Sequence, residues 1–157
     1  MNNLILEDFL PYRLSVLSNT VSAAMAEAYS DHFGLSIAEW RILAVLGRFP
    51  GISAGEVAAR TAMDKVAVSR AVARLTSAGR IRREFADADR RRSMLELTAD
   101  GERIFTRLTP VLLKYEQALL DDLPASDRKR LAGVLEQLLQ RARALGPPAL
   151  EDEAEDA

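Results

Sequence analysis

Leu10, Leu14, Leu17, Val21 and Ala24 recur at steps of three and four residues, which predicts a helix from Phe9 to about Tyr29 with one buried stripe. Pro11 is compatible with it because it falls in the first turn. The pattern breaks at Phe33-Gly34, and Ser36-Ile37-Ala38-Glu39 then offers a capping box flanked by Leu35 and Trp40 as its apolar staple. A second helix is expected from about Ile37 to Phe49, where Pro50 and Gly51 stop it. Ser53-Ala54-Gly55-Glu56 repeats the box, with Ile52 and Val57 as its staple, and predicts a short third helix to about Thr61. Asp64 is placed to cap a fourth, which buries Val68, Ala71, Val72 and Leu75 and ends at Gly79. Its other face carries Lys65, Ser69, Arg70, Arg74 and Ser77.

Beyond Gly79 the period changes from 3.6 to 2. Ile81, Arg83 and Phe85 alternate with Arg82 and Glu84, and Leu95 and Leu97 alternate with Met94 and Glu96, as in a β-hairpin. Its tip, Ala86 to Arg92, is too long for a two-residue turn and ends in three arginines. Thr98 caps a long helix containing Ile104, Phe105, Leu108, Leu112, Tyr115 and Leu119, which Pro110 should kink. From about Ser126 a last helix is expected to bury Leu131, Val134, Leu135, Leu138, Leu139, Ala142 and Leu145, until Gly146-Pro147-Pro148 ends it. That leucine stripe is one that a small domain would struggle to cover, so Leu131, Leu135, Leu138 and Leu139 are expected at a dimer interface, the alternative being burial wholly within one subunit.

Inventory removes several functions. The chain has no cysteine, which excludes disulfides, thiolate metal sites and thiol redox sensing. With His32 as its one histidine, no histidine-rich metal centre or nucleophile–base pair can be assembled, so no catalytic residue, metal or cofactor is expected and the chain is not read as an enzyme. No apolar run reaches membrane-span length and Glu7 and Asp8 replace a basic signal region, so the expected location is the cytoplasm with no membrane partner. The formal charge of −2 hides an asymmetry: residues 151–157 hold five of the 23 acids and are expected to form a disordered acidic tail. Between Arg60 and Arg92, ten basic residues (60, 65, 70, 74, 80, 82, 83, 90, 91, 92) face four acids (64, 84, 87, 89), a local excess of six. A patch of that sign attracts phosphates.

Two short capped helices followed by a basic hairpin form a winged helix-turn-helix, whose second helix enters the major groove of double-stranded DNA. Val66, Ala67 and Ala73 among the cations suit thymine methyls, and arginine suits guanine edges. At the wing tip Asp87 and Asp89 can brace the neighbouring guanidinium groups for a narrow minor groove.

The run from Leu35 to Gly101 resembles the MarR family of bacterial regulators. The likeness lies in Leu35-Ser36-Ile37-Ala38-Glu39-Trp40-Arg41-Ile42-Leu43, in the helix from Asp64 to Leu75, and in Asp87-Ala88-Asp89-Arg90-Arg91-Arg92-Ser93 leading to Leu97-Thr98-Ala99-Asp100-Gly101. It implies a mainly α fold with a small β-hairpin wing: one domain over 1–150, with a winged core at about 36–98 between dimerisation helices at about 8–30 and 99–146. It further implies a homodimeric repressor on a palindromic operator, with Lys65, Ser69, Arg70 and Arg74 from the recognition helix and Arg90, Arg91 and Arg92 from the wing on the DNA. The first two helices resemble a subgroup that responds to aromatic acids or their coenzyme A thioesters. For such a ligand Arg13 could pair with a carboxylate, Trp40 stack on a ring and His32 donate a hydrogen bond, near a cleft between the dimer helices and the winged lobe. The alternative is a winged-helix protein-interaction module without specific DNA binding, whose signature would be loss of the basic face.

Overall fold

The computed structural model describes residues 4–85 and 93–148. A 3-10 turn, Leu6–Asp8, leads into α1 (Leu10–Phe33); α2 (Ile37–Arg48), the two-residue strand β1 (Ile52–Ser53), α3 (Ala54–Thr61) and α4 (Lys65–Ser77) follow. The hairpin strands β2 (Ile81–Phe85) and β3 (Ser93–Leu97) precede α5 (Ala99–Leu120) and α6 (Ala125–Leu145). This is the mainly helical winged fold anticipated from the patterning, within which the chain divides into two compact units, Met1–Tyr115 and Glu116–Ala157.

Both capping boxes form. Ser36 Oγ accepts from the Glu39 amide at 3.2 Å while the Glu39 carboxylate accepts from the Ser36 amide at 2.8 Å. Ser53 and Glu56 exchange the same pair of bonds at 3.3 and 2.9 Å. Asp64 Oδ1 accepts from the Ala67 amide at 2.8 Å, so α4 starts where its cap predicts. Each cap satisfies amides that the helix itself leaves without partners, typically worth about 1 kcal/mol.

The core of the first unit joins Leu46 of α2, Val57 of α3, Val68, Val72 and Leu75 of α4, Ile81 and Leu95 of the wing base, and Ile104 and Leu108 of α5, all essentially inaccessible. Burying each such side chain contributes about 1.5–3 kcal/mol, which holds α4 and the wing in fixed relation. Thr98 adds a polar joint: its Oγ1 donates to the Gly79 carbonyl at 2.6 Å and accepts from the Gly101 amide at 3.2 Å. The phenol of Tyr29, at the foot of α1, is held above its ordinary pKa by burial, an effect partly offset by the Arg41 guanidinium.

Four expectations change. The sheet has three strands in the order β1-β3-β2, because Ile52 pairs with Leu95 and Ser53 with Met94; the capping box had claimed that segment for a helix start alone. α1 continues to Phe33, one turn past Tyr29, and is closed by Gly34 in the left-handed region at φ 60°. The stripe of α1 is not buried: Leu10, Leu14 and Leu17 keep 48%, 39% and 56% of their surface, and only the last turns of the helix pack on the core. In α6, Leu131, Leu135, Leu138 and Leu139 keep between 39% and 46%, and Val134, Ala142 and Leu145 are likewise exposed. An apolar stripe is buried only where an apolar surface lies on it, and among the described residues none covers these.

Candidate nucleic-acid interface

α3 and α4 are joined through residues 62–64, with Ala62 in the left-handed region at φ 52° and ψ 34° turning the chain. Thr61 is buried at this corner, its Oγ1 donating to the Val57 carbonyl at 2.8 Å. Because α4 buries Val68, Ala71, Val72 and Leu75, its opposite arc is forced outward. At about 100° per residue, Val66 and Ala73 lie at the centre of that arc, Lys65 and Ser69 on one flank, Arg70 and Arg74 on the other. Lys65, Ser69, Arg70 and Arg74 are all exposed, and Val66 keeps 60% of its surface. The structure therefore groups the four recognition-helix candidates on one outward face with no acid among them.

Between the start of α3, the inner flank of α4 and β2 lies a notch of about 290 Å³ lined by Ala54, Gly55, Lys65, Val68, Ser69, Val72 and Arg83. Two cations and a hydroxyl around a small concave floor are chemically suited to one anionic oxygen group. Arg83 had counted only as one charge of the basic stretch; strand alternation alone placed it opposite Arg82, and its neighbours come from the fold.

The ten basic residues do not act alike. Arg80 Nη2 donates to the Phe33 carbonyl at 2.6 Å. Arg82 is bonded to Glu96 at 2.6 Å and to Glu84 at 2.9 Å, and both carboxylates, the Glu96 hydrogen bond first, raise its pKa further. Arg60 lies over the Phe49 ring at 4.0 Å. These three have partners within the fold, Arg60 and Arg82 while remaining exposed; Lys65, Arg70, Arg74 and Arg83 are the other exposed cations around α4. Arg90, Arg91 and Arg92, with Asp87 and Asp89, lie outside the described residues.

The three ligand candidates do not converge within one chain. Arg13 and His32 are nineteen residues apart on α1, about 28 Å at 1.5 Å per residue. Arg13 borders a shallow cavity of about 380 Å³ with Glu7, Tyr12, Val16, Leu17 and Thr20. His32 is exposed in the last turn, edge-on to Phe33 at 6.4 Å. Trp40 is parallel to Tyr29 at 6.1 Å and to Phe105 at 6.3 Å, so its ring belongs to an aromatic stack of the core. Among the described residues no cluster of acids and histidine could hold a metal, and no helix is long and apolar enough to cross a membrane.

A capped helix pair, an outward cationic second helix and a three-stranded wing base match known proteins directly. The MarR family profile covers residues 33–92. Over those residues the chain is similar to the MarR family. The HTH-type transcriptional repressor Rv2887 of Mycobacterium tuberculosis is 28% identical over 131 residues, 83% of this chain and 91% of that one. The HTH-type transcriptional regulator BilQ of Clostridium symbiosum is 29% identical over 105 residues, 67% of this chain and 73% of its own. Among solved structures, a MarR-family transcriptional regulator from Silicibacter pomeroyi DSS-3 superposes with a TM-score of 0.76 at 29% identity, over 88% of this chain and 98% of that one. A MarR/EmrR-family regulator from Acinetobacter, at 24% identity, shares the fold with a TM-score of 0.82 over 88% and 97%. The fold is that of MarR-family transcriptional regulators.

Proposed function

We propose that this protein is a ligand-responsive transcriptional repressor that binds a palindromic operator as a homodimer through α4 and the wing. The observation that carries this reading is the outward arc of α4, where Lys65, Arg70 and Arg74 flank Val66 and Ala73 opposite a fully buried face. Cations at the edges of such an arc meet phosphates or guanines, and small apolar groups at its centre meet thymine methyls. The notch of Lys65, Ser69 and Arg83 seats a backbone phosphate beside it, and Arg90, Arg91 and Arg92 extend the contact into the minor groove. Residues 1–150 act as one functional domain of the cytoplasm, with α1, α5 and α6 supplying the dimer face and the two half-sites about one helical turn apart. No cofactor or catalytic residue belongs to this reading.

A mobility shift with DNA flanking the gene, against a scrambled duplex at several salt concentrations, tests it. Arg70→Ala is expected to cost about 1–3 kcal/mol on the operator and to relax preference at one position per half-site. Equal losses on both duplexes would make Arg70 a phosphate contact. Absence of any shift with the parent protein would favour the protein-interaction module.

The releasing ligand in this reading is a small aromatic acid or its coenzyme A thioester. Its support is the Arg13 cavity, where one guanidinium stands beside the apolar walls of Tyr12, Val16 and Leu17. His32, at the far end of α1, and Trp40 of α2, stacked on Tyr29, lie far from that cavity and contribute to a ligand only from a second site. Arg13→Ala is expected to keep operator affinity and lose release by a carboxylate ligand, with at least a tenfold rise in the concentration needed, or about 1.4 kcal/mol. Release at the parent concentration would remove Arg13 from the pocket.

A further inference from the structure

Among the described residues of the basic stretch, Arg80 is engaged by the fold through its amide, its carbonyl and its side chain alike. Its amide donates to the Leu75 carbonyl at 2.9 Å in the last turn of α4, and its own carbonyl accepts from the Thr98 amide at 3.1 Å, where α5 begins. Its side chain runs the other way. Nη2 donates at 2.6 Å to the carbonyl of Phe33, a residue 47 positions earlier and the last of α1. A helix leaves its final carbonyls without intrahelical donors and carries a partial negative charge there, so a guanidinium at that position is both a cap and a charge partner. The bond is partly buried, where a charged donor to a carbonyl is stronger than a neutral one. Phe33 is held a second time through its ring, with the Arg107 guanidinium of α5 at 5.4 Å from the centroid.

We infer that Arg80 is a positioning residue: it locks the C-terminal end of α1 to the base of the wing and thereby sets which half-site spacing the dimer accepts. The inference rests on the proposed DNA-binding dimer with α1 in its interface. If α1 belongs to the dimer face and α4 reads the groove, the angle between α1 and α4 determines how far each recognition helix stands from the two-fold axis. Apolar contacts of Met25, Ala26, Tyr29 and Phe33 hold the two parts together, but such contacts allow a helix to slide or pivot. A hydrogen bond at 2.6 Å from a residue whose backbone is pinned at both amide and carbonyl does not. Arg80 therefore fixes geometry without touching DNA, against the expectation that it adds to the phosphate-binding charge.

Two measurements test this. The chain has no cysteine, so Asp31→Cys in α1 and Ser77→Cys in α4 give a clean pair of spin-label sites. Labelled protein diluted into excess unlabelled chain should give one narrow intrachain distance distribution by double electron–electron resonance. Arg80→Met keeps the aliphatic stem and removes the donors. It should broaden or shift that distribution, and Arg80→Lys, which can still donate to the Phe33 carbonyl, should restore most of it. Superimposable distributions for the parent and Arg80→Met would overturn the inference. If Arg80→Met does not fold, Arg80→Gln, whose amide stops two bonds short of the Nη2 position, carries the comparison: a distribution broader than or shifted from the parent's supports the lock, and a superimposable one overturns it.

The second measurement uses operators whose half-sites are moved apart by one base pair, which displaces them by about 3.4 Å and rotates them by about 34°. The parent should discriminate by about tenfold or more against the altered spacing, and Arg80→Met should reduce this to about threefold or less while binding scrambled DNA as the parent does. An equal loss on every duplex, with the salt dependence lower by about one phosphate, would instead make Arg80 a DNA contact and overturn the inference. If the parent binds no DNA, the proposed function fails, while the spin-label distances still decide whether Arg80 locks α1.

Discussion

Replacing Gly101 with alanine is expected to destabilise the protein by on the order of 3 kcal/mol or more, lowering its melting temperature by roughly 6–12 °C. A Cβ built on Gly101 falls 2.1 Å from the Arg80 carbonyl oxygen and 3.2 Å from its carbon. Both are backbone atoms, and that oxygen also accepts the Thr98 amide, so neither can yield without opening the joint between the wing and α5. The start of α5 must lift away from Arg80 instead. Gly47 provides the comparison, since its Cβ would meet the Phe105 ring at 2.8 Å. A ring can turn aside, so Gly47→Ala should cost less, about 1–2 kcal/mol, mainly by disturbing the stack of Phe105 on Trp40. Melts followed by circular dichroism decide both. A Gly101→Ala protein that melts with the parent would mean that α5 does not begin against the wing base.

Leu138→Asp is expected to shift the mass measured by light scattering from twice 17.3 kDa to one chain of 17.3 kDa, or to unfold the protein. Leu131, Leu135, Leu138 and Leu139 repeat at the spacing of one helix face and remain exposed in the single chain. A second copy that covers them gains about 1.5–3 kcal/mol per leucine, and a carboxylate placed in that dry seam costs several kcal/mol because nothing there can solvate or pair it. A parent protein of single-chain mass at micromolar concentration would withdraw the dimer from the proposed function. An unchanged dimer for Leu138→Asp would move the interface off this stripe.

What could be read in advance follows the range of each interaction. Ser36 with Glu39 and Ser53 with Glu56 are three residues apart, and their boxes set the starts of α2 and α3 as the sequence implied. The faces of α4 were legible for the same reason: one period of 3.6 sorts Val68, Val72 and Leu75 from Lys65 and Arg70. β1 was not, because two residues carry no period of their own and Ile52 becomes a strand only by pairing with Leu95. Arg80 was misread as DNA-facing charge because its partner is distant in the chain and is a backbone carbonyl, which leaves no trace in residue types. Arg82 with Glu96 was hidden until the register of the hairpin placed them directly opposite each other. The leucines of α6 were legible as an apolar stripe, but a stripe does not say which surface lies on it.

The sheet at the wing base ends in two edges, and neither invites another chain. On one side β1 is only Ile52 and Ser53, too short to template a further strand. On the other, β2 presents Arg82, Arg83 and Glu84 along its exposed length. An added strand would have to desolvate these charges to reach the backbone of β2, the usual way in which proteins keep open sheets from growing into aggregates. The ion pairs of Arg82 with Glu84 and Glu96 hold that guard in place at almost no net charge. The arginine that guards this edge is thus one whose guanidinium is already paired within the hairpin.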